Sequence, residues 1–266
     1  KVILTANAFG CDINCNGPFQ GTEFLVFNKA NLVAGAAAAT NFFPPPQGLF
    51  TLRAAQNLSA NTTLFMVSHG VNLIRIWSVT GVPGVGPGAT FTTVDRPILN
   101  MSIPPDAQQL GGLPLIATND DRFLEAVFRN GSLWTTAAVG CIPGGDVVTR
   151  SCLRLIEVMT LGLTVNQDFN FGISGIYMYF PAVTLDSLNN LIGVFSRSSS
   201  SEFAGVWASG RLASDPPNSL QNPTLIKAGE AHYSPFANRW GDYSAASVDP
   251  VDPTKVWISG EYARIE

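Results

Sequence analysis

Arg239, Asp242, Tyr243, Glu261 and Tyr262 bring a guanidinium, two carboxylates and two phenols into one short stretch near the C-terminus. Groups of these types grip anions, shuttle protons or attack carbon centres. The competing role is structural, because buried polar side chains need hydrogen-bond partners, and Asp242 and Tyr243 suit that role between packed strands. Two carboxylates at the right separation hydrolyse glycosides, but Asp and Glu are too dispersed in this chain to nominate a pair. The two histidines are His69 and His232. A Ser–His–Asp triad needs one of them beside an activated serine. No Gly-x-Ser-x-Gly elbow occurs, since Gly172 stands at the wrong spacing from Ser174-Gly175. A phosphate loop and a dinucleotide fingerprint are also missing from the sequence. Asn119, Asp120 and Asp121 offer the oxygen ligands that Ca²⁺ takes, although such a cluster more often caps a turn. Calcium is therefore the one cofactor to consider.

The cysteines fall into two close pairs. Cys11 and Cys15 are separated by Asp12-Ile13-Asn14, and Cys141 and Cys152 flank the turn Ile142-Pro143-Gly144-Gly145-Asp146. Proximity favours 11–15 and 141–152 disulfides, while the spacings match no common zinc motif and no histidine lies nearby. Disulfides imply an oxidising compartment, so a secreted, extracellular or cell-surface location is expected. Charged residues make up only 13% of the chain, against about 25% in ordinary soluble domains. Ser, Thr, Asn, Gln and Gly must therefore cover the surface, or other chains or copies of this one must bury part of it. The net charge is −4 and the basic residues form no run, which argues against a nucleic-acid partner. No apolar stretch is long enough for a membrane span. Sequons at Asn57, Asn61, Asn100 and Asn130 are no more than this composition yields by chance.

The elements that must position these groups are strands. Short apolar runs recur between Gly, Pro, Asn and Asp, and helical periodicity is nearly absent. Expected strands include Val2–Ala6, Leu49–Arg53, Thr63–Ser68, Asn72–Val79, Leu113–Thr118, Phe123–Arg129, Ser132–Ala138, Lys255–Gly260 and Tyr262–Ile265, with one helical turn at Lys29–Ala34. Four hairpins end in tryptophan, at Trp77, Trp134, Trp207 and Trp257, which suggests a repeated β-unit. A β-sandwich or β-helix with coincidental tryptophans is the alternative. Pro250 and Pro253 cannot donate ladder hydrogen bonds and belong in the turn of the last hairpin. The other proline clusters mark loops, so residues 1–266 read as a single β-domain.

Asn130-Gly131-Ser132-Leu133-Trp134-Thr135 is similar to an Asp-box with Asn in place of Asp. With Leu4-Thr5-Ala6-Asn7, Asp120-Asp121-Arg122-Phe123, the run through Gly210-Arg211-Leu212-Ala213-Ser214-Asp215-Pro216, and Asn238–Asp242 to Glu261-Tyr262, the chain resembles the secreted, sialidase-like β-propellers of bacteria. That resemblance implies an all-β propeller of four to five blades or a partial ring, with further blades upstream. It also implies an exported location, and the function expected of the chain is an extracellular scaffold or binding module that engages protein or glycan partners through its neutral surface and loops, as part of a cell-surface or extracellular assembly. The alternative is a sialidase-like glycoside hydrolase, for which Arg239, Asp242, Tyr243 and Glu261 supply residue types. No segment reproduces the Arg-Ile-Pro start of that family, so no catalytic set is nominated and a non-catalytic role leads.

Overall fold

Val, Ile, Phe, Thr and Trp crowd the segments between turns, and their branched or aromatic side chains favour a pleated backbone. The computed structural model describes residues 1–11, 17–45, 49–234 and 239–265. Among these residues the fold is all-β, with one five-residue helix, α1 (Lys29–Val33), as the expected helical turn. Asn28 caps α1 by accepting a hydrogen bond from the Ala30 amide at 3.0 Å.

The strands form five sheets in chain order. The first holds β1 (Val2–Phe9), β2 (Phe19–Phe27) and β3 (Thr40–Phe43). Next come β4 (Arg53–Ala54), β5 (Gln56–Asn57), β6 (Leu64–His69), β7 (Leu73–Val82) and β8 (Val85–Pro97). The second sheet runs β4-β6-β7-β8, while β5 leaves it to pair in parallel with a strand of the third. The third sheet combines that β5 with β9 (Glu125–Arg129), β10 (Ser132–Cys141), β11 (Arg150–Met159) and β12 (Thr164–Phe171). The fourth is β13 (Ile176–Leu185), β14 (Leu191–Ser199), β15 (Glu202–Arg211) and β16 (Thr224–Lys227). The fifth is the hairpin β17 (Ala245–Val248) and β18 (Val256–Ser259). Every described pairing except β5–β9 is antiparallel.

Four apolar seams join the sheets face to face. Phe24 and Val26 of the first pack on Met66, Trp77 and Val79 of the second. Phe65, Val67, Ile74 and Ile76 of the second meet Ala126, Phe128, Leu133 and Ile156 of the third. Val127, Trp134, Leu153 and Leu155 of the third meet Met178, Val183, Leu185 and Phe195 of the fourth. Ala182, Val194 and Val206 of the fourth meet Ala246 of the fifth.

Local chemistry explains the hairpins. Between β9 and β10, Asn130 and Gly131 both hold positive φ, 49° and 87°, the geometry of the tight turns that Asn-Gly favours. In the last hairpin the Asp249 carboxylate accepts from the Val251 and Asp252 amides and from Trp257 Nε1 at 2.7 Å. The two Asp-Pro pairs thus form the turn, as their chemistry requires.

Some expectations need correction. Thr51 sits at φ 55°, which interrupts the strand expected over Leu49–Arg53, so β4 starts only at Arg53. Leu113–Thr118 forms no strand beyond a single bridge between Ile116 and Ala107. Tyr262–Ile265 is held by isolated backbone hydrogen bonds through Ala263 rather than by a ladder. The tryptophan hairpins exist, but their tryptophans are not equivalent. Trp77 and Trp207 lie on the strand next to a sheet edge, Trp134 on the central strand of its sheet, and Trp257 on an edge.

Cys141 and Cys152 form the expected disulfide, with Cα atoms 5.9 Å apart across the β10–β11 loop. Gly172 lies against it: a Cβ there would come within 2.8 Å of Cys152 Sγ. Cys15 lies outside the described residues, and so does the expected Cys11–Cys15 link. Closing a loop of 11 residues stabilises the fold by about 2–3 kcal/mol in the chain-entropy account. The Cys141→Ser, Cys152→Ser double variant should lose that amount in a urea titration, and an unchanged midpoint would show the bond to be dispensable. Among the described residues no helix is long and apolar enough to cross a membrane.

Candidate functional site

Four of the five sheets send residues to one cleft of about 160 Å³. Its lining comes from β1 (Thr5, Ala6, Asn7), the lead into β4 (Thr51, Leu52, Arg53), the lead into β9 (Arg122, Phe123, Leu124), and Tyr243 just before β17. Larger grooves exist, one of about 380 Å³ beside Phe203 and Trp207 and another of about 470 Å³ beside Leu99 and Asp168. They draw on fewer sheets, so the four-sheet cleft is the stronger candidate.

Its first wall is a clamp. The Asn7 side chain accepts a hydrogen bond from the Thr51 amide at 3.0 Å and donates one to Thr51 Oγ1 at 3.0 Å. Thr51 is β-branched at positive φ, a conformation that costs about 1–3 kcal/mol and persists only where the surroundings enforce it. The paired bonds from Asn7 supply that enforcement.

Two arginines in the lining are held by carboxylates behind them. Arg53 Nη2 donates to Glu125 Oε1 at 3.1 Å, joining the second and third sheets. The Asp120 carboxylate takes the Arg122 amide at 3.1 Å, Arg122 Nε at 2.6 Å and Arg122 Nη2. Burial pushes the Asp120 carboxyl up, but its hydrogen bonds from Arg122 and the charge of that guanidinium outweigh burial and hold it below the usual carboxylate range. The Arg122 guanidinium is raised, first by its hydrogen bond to Asp120, with burial opposing and Tyr243 and Asp242 adding charge support. Arg122 also stands over the Phe50 ring at 4.8 Å. His69 Nε2 lies 4.0 Å from Asp121 Oδ1, and its ring packs edge-on against Phe123.

The C-terminal candidates divide. Tyr243 is 61% exposed and lines the cleft; the expectation that it satisfies buried groups between strands does not describe its position. Asp242 reaches the cleft electrostatically through Arg122 and pairs with the exposed Arg239. Glu261 turns away to accept the Gly241 amide at 3.1 Å. Tyr262 packs on the fourth–fifth sheet seam, under the Lys227 ammonium.

The calcium candidates split in the same way. Asn119 adopts positive φ, 64°, Asp120 has both oxygens on Arg122, and Asp121 faces His69. Among the described residues no three His, Cys, Asp or Glu side chains stand together as a metal site would need. His232 lies against Gly111, and its Nε2 is buried without a hydrogen-bond partner.

Asn7, Thr51, Arg53 and Glu125 were not singled out from sequence. Asn7 and Arg122 lie inside Leu4-Thr5-Ala6-Asn7 and Asp120-Asp121-Arg122-Phe123, so the sequence carries a signal for them. The Arg53–Glu125 pair spans 72 residues, and nothing local announces it. The chain matches no protein-family model, and comparison with the curated proteins and the solved structures returns no match.

Proposed function

We propose that the five sheets are blades of a sialidase-like propeller and that the chain is a non-catalytic, extracellular binding module. Its four-sheet cleft would take a hydroxyl-rich ligand such as a glycan. The lining suits that ligand, with Thr5, Asn7, Thr51, Arg53 and Arg122 as hydrogen-bonding groups and Tyr243 as an aromatic rim. A few placed polar groups with one aromatic surface are the ordinary composition of an orienting site.

The observation that carries the non-catalytic reading is the state of the carboxylates. Asp120 and Glu125, which border the cleft, are each bound to an arginine, and Asp120 is held below its usual range. A glycosidase acid must keep its proton near neutral pH, which requires the opposite shift. The second reading, a sialidase-like hydrolase, draws on Arg53, Arg122 and the exposed Tyr243 sharing one cleft. The disulfide Cys141–Cys152 supports an exported location.

A glycan array probed with the intact chain tests the proposal, alongside a panel of fluorogenic glycosides. The expected result is retention of a subset of glycans that Arg122→Ala abolishes, with no fluorophore released. Turnover that Tyr243→Phe removes without changing the melting temperature would replace this reading with the hydrolase.

A further inference from the structure

The first sheet has one covered face and one bare face, and the bare one has the composition of an interior. In the antiparallel register Leu4 stands opposite Leu25, and Leu25 opposite Phe42. Val2 stands opposite Phe27 in the parallel row two residues away. Side chains on alternate positions share a face, so Val2, Leu4, Leu25, Phe27 and Phe42 form one apolar surface. Val2, Leu4 and Phe42 are 39%, 57% and 56% exposed, and Leu25 and Phe27 are half-buried. The opposite face, with Phe24 and Val26, is buried against the second sheet.

We propose that this face packs against the same face of a second copy, giving a two-fold dimer by sheet-on-sheet contact. Charge argues for a copy of itself. Glu23 is the one charged side chain of β1–β3 on this side, so a charged partner finds little to pair with, and a second copy has only the two Glu23 carboxylates to keep apart. Area argues for a modest affinity. Each face exposes on the order of 400 Å² of apolar surface, the scale of the largest patch on a whole monomer. Two such faces with their rims reach about 1,200 Å², the lower end of specific interfaces.

The other end of the stack argues for two-fold closure rather than a chain of copies. On the outer side of the fifth sheet Ser247 pairs with Trp257 and Ala245 with Ser259, so Trp257 stands alone among small residues. That surface is no match for a Leu–Leu–Phe row. A two-fold contact uses one patch twice and leaves no apolar sheet face open. Packing continues the geometry of the four internal seams, with sheets about 10 Å apart.

Sedimentation equilibrium over the micromolar range tests the dimer. The wild-type chain should shift with concentration from 28.3 kDa to twice that mass. The Leu4→Thr, Phe42→Thr variant should stay monomeric with an unchanged melting temperature, because both side chains are exposed and threonine keeps a strand backbone. A wild-type chain that remains monomeric throughout overturns the proposal, and so does a dimer that survives both substitutions. Loss of association in Trp257→Ser would also overturn it, by assigning the contact to the fifth sheet.

Discussion

Arg154→Leu should lower stability by about 3–5 kcal/mol, the usual result of removing one partner from a buried ion pair. The Arg154 side chain is fully buried and meets Asp168 Oδ1 at 2.5 Å. It also donates to Asn170 Oδ1 at 2.9 Å and to the Leu99 carbonyl at 3.0 Å. Asp168 in turn accepts the Leu99 amide at 2.6 Å, so the pair pins the segment after β8 to β11 and β12. Burial lowers the guanidinium and raises the Asp168 carboxyl, with each partner's charge opposing. Burial wins for both groups, and the site therefore holds its charges at a cost. Without Arg154 the largely buried carboxylate loses its countercharge and keeps only the Leu99 amide. The Arg154→Leu, Asp168→Leu double variant should recover most of the loss, since apolar replacements of buried pairs are often neutral. The pH dependence has a definite sign. A carboxyl raised in the folded state favours folding below its unfolded value and loses that contribution as pH rises, so the single variant's deficit should be smaller at pH 4 than at pH 7. Urea titrations at both pH values would check it, and a double variant as unstable as the single would defeat the explanation.

Trp134→Ala should be nearly as severe, at about 3–5 kcal/mol. Trp134 is buried between the third and fourth sheets with Leu153, Leu155 and Phe195, and the Arg211 guanidinium stands 5.7 Å from its ring. Truncation opens a cavity in a seam formed by two rigid ladders, which cannot collapse around it. Trp257→Ala is the control. That residue also ends a hairpin, but it is 68% exposed and its main partner is a hydrogen bond to Asp249, so its loss should stay within about 1 kcal/mol. Parallel thermal and urea melts would separate the two, and equal losses would contradict the seam as described.

The strand content was legible because strands leave a local mark. Asn130-Gly131 between apolar runs names its turn, and Asp249-Pro250 with Asp252-Pro253 names another. What failed was local in appearance and non-local in cause. Leu113–Thr118 has the composition of a strand but finds only Ala107 to bridge, because a strand requires a partner and composition cannot supply one. The site was legible in fragments. Asp120, Arg122 and Tyr243 lie in stretches that looked informative, while their convergence depends on how four sheets pack. Thr51 carries no sequence signal at all: nothing in its type suggests positive φ, and only the Asn7 amide, 44 residues earlier, explains it.

β5 has two residues, yet it changes how the molecule comes apart. Gln56 and Asn57 leave the second sheet to lie parallel to Val127 and Phe128 of the third, and the Leu58 amide extends the match to the Phe128 carbonyl at 2.9 Å. Elsewhere neighbouring sheets touch mainly through side chains, so each could in principle open as its own unit. Here the second sheet cannot detach without unzipping backbone from the edge of the third. These two should exchange their amide hydrogens in one concerted event, while the hairpin β17–β18 at the far end opens earlier and alone.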